Sequence, residues 1–148
     1  KGTVLPPDAN STMRITYGTV GGYSPKDGVI YDYRSSIDGY KEKYVENDPE
    51  FDLNPDCWAA IQKGDWGRYA DKDGNLDITG GNSGSPVINA KGELIGLAYD
   101  GNWESMAGDL YYNPKYNKCV CVDIRFVLWI LDKYARASNL LNEISIVE

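Results

Sequence analysis

The sequence predicts a mainly β fold with a C-terminal helix and a few short helices elsewhere. Three observations carry that reading. The chain holds 12 Tyr and 4 Trp, residues that fit a half-buried pleated surface better than a helical bundle. Its apolar segments are short and punctuated by Gly, Asn and Asp, as at Asn89-Ala90-Lys91-Gly92. The clearest sustained helical spacing lies near the end, from Ile124 to about Ala135.

Residues 1–12 are rich in Pro and Asn and read as irregular. Met13–Val20 alternates and predicts a strand, ended by Gly21-Gly22. Tyr23–Asp48 reads as an excursion of short strands and loops, with turn signals at Asp27-Gly28 and Asp38-Gly39. The tyrosines between Tyr17 and Tyr44 are expected at half-buried strand positions. Asn54-Pro55 opens a short helix: Asn54 caps it, Pro55 fits its first position and Gly64 its exit, with Trp58 and Ile61 on the buried stripe. Asp71–Asn75 is a turn. Ser85–Asn89 and Glu93–Tyr99 form a hairpin, and Lys118–Val122 is another strand. Asp123 caps the final long helix, whose stripe is Ile124, Val127, Leu128, Leu131 and Tyr134, widened by Phe126, Trp129 and Ile130. Ser138–Glu143 adds one or two helical turns.

The length of 148 residues suits one ordinary domain or a large piece of one. A net charge of −7 argues against nucleic-acid binding, which needs a Lys/Arg surface. The longest apolar run, near Phe126–Leu131, is far too short to span a membrane. Lys1-Gly2-Thr3 has no initiator Met and no signal-peptide character, so the chain is expected to be a segment or processed product. Cys57, Cys119 and Cys121 do not fit a structural zinc pattern. Cys119 and Cys121 share one face of a strand and are expected as buried free thiols, with a disulfide and the redox compartment left open. Asp71-Lys72-Asp73-Gly74-Asn75 begins like a calcium loop, but Leu76 and Asn82 stand where Gly and Glu are required, so no metal or other cofactor is expected. Asn10-Ser11-Thr12 fits a glycosylation sequon and is read as local backbone satisfaction.

The chemistry concentrates in Gly80-Gly81-Asn82-Ser83-Gly84-Ser85-Pro86. A serine hydroxyl attacks a carbonyl only when a base, a sharply presented side chain and oxyanion donors coincide. Ser83 is the candidate nucleophile. The flanking glycines allow the backbone N–H groups of Gly81 and Ser83 to converge as the oxyanion hole, and Gly84 leaves room for a substrate backbone. A G-x-S-x-G loop also occurs at hydrolase elbows, but there a helix follows. Here Pro86-Val87-Ile88 continues as a strand, with Val87 and Ile88 expected in the core, which favours a chymotrypsin-type setting. The chain contains no histidine, so a Ser-His-Asp triad cannot be completed within it.

Asp77 to Val87 resembles the bacterial dipeptidyl-peptidase 7 and 11 family of chymotrypsin-clan serine peptidases, closer to the dipeptidyl-peptidase 7 branch. The similarity extends through Gly92–Glu104, Val122–Tyr134, Pro7–Arg14, Tyr17–Val20 and Gly67–Ala70. The resemblance implies a chymotrypsin-like second β-barrel, part of a trypsin-like double barrel. The catalytic His and Asp would lie upstream on the first barrel, and a helical domain would cap the cleft. It implies release of dipeptides from free N-termini of oligopeptides, in the periplasm or at the cell surface. The partners are then the peptide substrate and the rest of the same polypeptide; a homodimer is left open.

Two positions carry over from the resemblance. Asp100, 17 residues after Ser83, would help hold the substrate's α-ammonium group in a partly desolvated cleft. Taken alone, Asp100-Gly101 reads as a turn. Gly101 would stand at the first-pocket specificity position, where arginine accompanies acidic second residues; glycine leaves the pocket open and implies aliphatic or aromatic ones. Trp103 and Glu104 are placed on the cleft wall without a catalytic role. The sequence departs from the family where Leu76 meets Asp77, since about ten strand-forming residues are expected there and are missing. Competing readings are a glutamyl-type serine endopeptidase, which shares G-N-S-G-S-P, and a non-catalytic barrel module. The isolated chain is expected to be inactive without its base.

Overall fold

The computed structural model describes residues 15–70, 77–78, 83–106, 113 and 115–147. The strands are β1 (Tyr23–Lys26), β2 (Val29–Tyr31), β3 (Ser35–Ser36), β4 (Asp77–Ile78), β5 (Ser85–Ile88), β6 (Leu94–Gly101) and β7 (Cys119–Asp123). The helices are α1 (Asp38–Lys43), α2 (Pro55–Lys63), α3 (Ile124–Trp129) and α4 (Ser138–Leu141), with single 3-10 turns at Gly67–Tyr69 and Trp103–Ser105. The strands form an antiparallel β1–β2 hairpin, a short β3–β4 pair and an antiparallel β5–β6–β7 sheet. The architecture is sheets plus helices. It is less β-dominated than composition implied, because half-buried aromatics also serve helix packing, and no closed barrel forms among the described residues.

Local chemistry sets several boundaries. The Asp27-Gly28 turn closes the β1–β2 hairpin. The Asn54 side chain accepts the Asp56 N–H at 3.0 Å, Pro55 follows at the first helical position, and Gly64 ends α2 in the left-handed region at φ 66°. Asp123 accepts the Arg125 N–H at 2.8 Å and holds the same residue's guanidinium at 2.7 Å. The helix begun at α3 continues through Ile130–Tyr134 as a π turn, where the Ala135 N–H reaches back to the Ile130 carbonyl at 2.8 Å. In the β5–β6 hairpin the Asn89 side chain accepts the N–H groups of Lys91 and Glu93.

The core gathers Ile37, Ile61, Tyr69, Leu128 and Trp129. Trp129 is fully buried, and its indole N–H donates to the Asp65 carbonyl at 2.8 Å. Trp66 lies 5.0 Å from it and Phe126 6.0 Å, centroid to centroid. On the predicted stripe of α2, Ile61 is buried and Trp58 is half-buried, packing against the core and stacking on Tyr44 at 4.0 Å. Helix α3 continues directly from β7 and packs on β6 and the Gly67–Tyr69 turn, while the π turn that follows it meets α2.

Several expectations are corrected. Residues 15–20 form no strand: Ile15, Tyr17 and Val20 are all exposed, and no described strand pairs with them. Alternation alone does not make a strand without a neighbour to complete its hydrogen bonds. Asp38-Gly39 is no turn but the start of α1, with Asp38 in the first turn where a carboxylate suits the helix dipole. Tyr17, Tyr31 and Tyr33 are exposed rather than half-buried. Val87 and Ile88, expected in the core, do not enter it: Val87 is half-buried and Ile88 is 61% exposed. Cys119 is an exposed free thiol, not a buried one: it pairs with Gly101 at the exposed end of β6. The turn and calcium-like pattern at Asp71–Asn75, the sequon and the Leu76–Asp77 junction lie outside the described residues.

Candidate active site

The glycine-rich loop predicted to carry the nucleophile enters β5 through Ser83 and Gly84, which form an exposed turn. Gly84 adopts φ 82°, a conformation that favours glycine, and donates its N–H to the Ala98 carbonyl at 2.6 Å. That bond ties the exit of the loop to β6. Gly81, the other predicted oxyanion donor, lies outside the described residues.

Strand pairing brings the other candidates to the same place. Ser85 pairs with Ala98, Pro86 with Leu97 and Val87 with Gly96. Ser83 lies two residues before Ser85, and Asp100 two residues after Ala98 on the antiparallel partner. Ser83 and Asp100-Gly101 therefore occupy one end of the β5–β6 hairpin. On the other side of β6, Ala98 pairs with Cys121 while Asp100 pairs with Val120, so Tyr99 is an extra, bulged residue. The bulge breaks the alternation: Ala98 is buried, and Tyr99, Asp100 and Gly101 are all exposed. Gly96 is required by crowding, because a Cβ there would stand 2.7 Å from the Val122 carbonyl oxygen.

Asp100 and Gly101 end β6 and do not form the predicted turn. The Asp100 carboxylate accepts the Gly101 N–H at 2.8 Å. It is exposed among the described residues. Among the described residues, shallow surface concavities lie beside Tyr44 and Trp58 and beside Arg68 and Ile146, away from Asp100. Trp103 is 81% exposed next to the site.

A hydrogen-bond network that the sequence did not reveal holds the segment after Gly101. The Asn102 amide donates to the Tyr116 carbonyl at 2.8 Å and to Glu104 at 2.9 Å, and accepts the Lys118 N–H at 2.9 Å. Glu104 also accepts the Tyr23 hydroxyl at 2.5 Å, which ties the β1–β2 hairpin to the site. Burial and that bond to Glu104 hold the Tyr23 phenol above its ordinary pKa. The partners are up to 81 residues apart, so no local pattern could have announced them. Next to Gly101, its strand partner Cys119 shares a face with Cys121. Burial, then the neighbouring Cys119 thiol, push Cys121 up to about 11.

These elements bring Ser83 and Asp100-Gly101 to one end of the β5–β6 hairpin. Residues 1–146 match the Peptidase S46 family, and the chain belongs to it. It is similar to dipeptidyl-peptidase 7 of Phocaeicola vulgatus, 48% identical over 96% of this chain and 21% of that protein. It is also similar to the Asp/Glu-specific dipeptidyl-peptidase of Porphyromonas gingivalis, 47% identical over 95% of this chain and 21% of that protein. The solved structure of Porphyromonas endodontalis DPP11 in complex with the dipeptide Arg-Asp superposes with a TM-score of 0.80 at 41% identity, covering 85% of this chain and 19% of that one. The chain thus spans about a fifth of the length of the relatives it matches.

Proposed function

We propose that this chain is the nucleophile-bearing segment of a serine dipeptidyl-peptidase. Its fold is then the second barrel of a chymotrypsin-like double barrel. The observation that carries the reading is the convergence of Ser83 with Asp100-Gly101 at one end of the β5–β6 hairpin, in a chain of the S46 family.

Ser83 attacks the carbonyl after the second residue of the peptide, and a histidine elsewhere in the full-length protein takes its proton. The N–H groups of Gly81 and Ser83 hold the oxyanion. An acyl-enzyme forms, and water releases the dipeptide. Asp100 pairs with the free α-ammonium, which fixes the count at two residues from the N-terminus. The first barrel and helical cap would bury the carboxylate that this chain leaves exposed. The reading places the enzyme in the periplasm or at the cell surface.

Identity does not choose the preferred second residue, since dipeptidyl-peptidase 7 and Asp/Glu-specific relatives match almost equally, at 48% and 47%. Gly101 decides it in this reading: with no cation at that position, the pocket suits aliphatic or aromatic side chains. In this reading the residues expected between Leu76 and Asp77 belong to a strand of the same barrel.

The test uses the full-length enzyme. Free peptides with a hydrophobic second residue should lose dipeptides, N-acetylated ones should not, and Ser83→Ala should lower turnover by about 10⁴-fold or more. Equal cleavage of blocked and free peptides would favour the glutamyl-type endopeptidase. Undiminished turnover by Ser83→Ala would end the serine reading.

A further inference from the structure

Gly101 lacks a side chain, yet the space beside its Cα is not empty. A Cβ built on Gly101 would overlap the Ser105 hydroxyl, while the Ser105 Cβ would stand at 3.6 Å, an ordinary contact. The overlap is therefore with one atom. That atom is fixed: the Ser105 hydroxyl donates to the Asn102 carbonyl at 2.7 Å, and the Ser105 N–H donates to the same oxygen at 2.9 Å. Asn102 is itself anchored to Tyr116 and Lys118. The hydroxyl thus occupies the place where any side chain at 101 would begin.

We propose that Ser105 is a specificity-determining residue of the first substrate pocket, because its hydroxyl forms the wall beside Gly101 and its identity decides which side chains position 101 can hold. The inference rests on the proposed role of Gly101. A guanidinium placed at 101 would complement an acidic second residue. To fit, it must first turn the Ser105 hydroxyl off the Asn102 carbonyl. Replacing Ser105 with alanine removes the obstructing atom and keeps the Cβ at contact distance. Positions 101 and 105 are then coupled, and acidic preference requires both to change.

The experiment compares the full-length wild type, Gly101→Arg, Ser105→Ala and the double variant on free dipeptidyl substrates with Asp or Leu second. The double variant should exceed Gly101→Arg in kcat/KM on the Asp substrate by about fivefold or more, the range expected for relieving one conflict with a part-buried hydrogen bond. Ser105→Ala alone should not raise the Asp-to-Leu ratio. A double variant within about twofold of Gly101→Arg would overturn the coupling. A second readout is independent of substrate: Gly101→Ala should lower the Tm, and adding Ser105→Ala should restore at least half of the loss. Absence of that restoration would overturn the steric argument even if dipeptide release is confirmed. Wild-type enzyme that releases no dipeptide while the Tm is restored would overturn the pocket assignment alone.

Discussion

Trp129→Phe tests the core that supports the site. The indole is fully buried between Trp66 and Phe126 and donates to the Asp65 carbonyl at 2.8 Å. Removing part of the ring system forfeits roughly 1 kcal/mol of transfer free energy, and the void left behind costs roughly 1 kcal/mol more. Loss of the hydrogen bond adds about 0.5 kcal/mol, at the low end because Asp65 is exposed and water can replace the donor. The expected destabilisation is about 2–3 kcal/mol. Hydrogen exchange of the α3 amides in the intact protein reads it as a fall in protection of roughly 30- to 150-fold. Trp103→Phe is the internal comparison: that ring is 81% exposed, and its replacement should change protection by less than about threefold. A change below about threefold at Trp129, or equal changes at both positions, would refute the assignment of Trp129 as the central packing residue.

Asn54→Ala removes the cap of α2 and should destabilise that helix by about 1 kcal/mol, seen as faster exchange of its first-turn amides with no change in α3. Gly96→Ala forces a Cβ to 2.7 Å from the Val122 carbonyl and should cost roughly 1–3 kcal/mol in urea unfolding. At about pH 8, iodoacetamide should label exposed Cys119 well before Cys121, whose thiol is held near 11 and so carries roughly one thiolate in 10³ molecules. Mass mapping that finds Cys121 labelled first would contradict this. Burial raises the phenols of Tyr40 and Tyr69, with Tyr99 and Asp132 adding to the respective shifts. Their stabilising contribution is whole below the unfolded tyrosine value of about 10 and is lost as pH rises through the higher folded values. Alkaline titration should therefore show these tyrosines ionising later in the native protein than after urea unfolding.

Local signals were the legible part of the fold. Asn54-Pro55 and Gly64 marked α2 at both ends, Asp123 marked the start of α3, and Asn89–Gly92 marked the β5–β6 hairpin, because each device acts within a few residues. Non-local structure was hidden. Met13–Val20 had the alternation of a strand, but residues 15–20 pair with nothing described. Ile88 looked like core, yet which face is buried depends on what packs there. The π turn at Ile130–Tyr134 keeps the same apolar spacing as an α-helix, so periodicity could not separate them. At the candidate site, the glycines singled out Ser83, and the resemblance singled out Asp100 and Gly101, as the residues the proposal rests on. Asn102, Ser105 and the Tyr23–Glu104 contact were not, because their meaning lies in contacts between distant segments.

The extra residue at Tyr99 separates two demands on one strand. Before it, Gly96 and Ala98 must match β7 so closely that little can change. After it, Asp100 and Gly101 answer to a different phase, and the pairing resumes with Val120 and Cys119. Residues beyond the bulge can therefore be exchanged without asking the sheet to repack. A lineage could retune what such a site accepts by altering two or three positions while the frame that presents Ser83 stays as it is. Deleting Tyr99 would do the opposite: it would leave the pairing with β7 regular and shift Asp100 and Gly101 one residue against β5, the strand that leads back to Ser83.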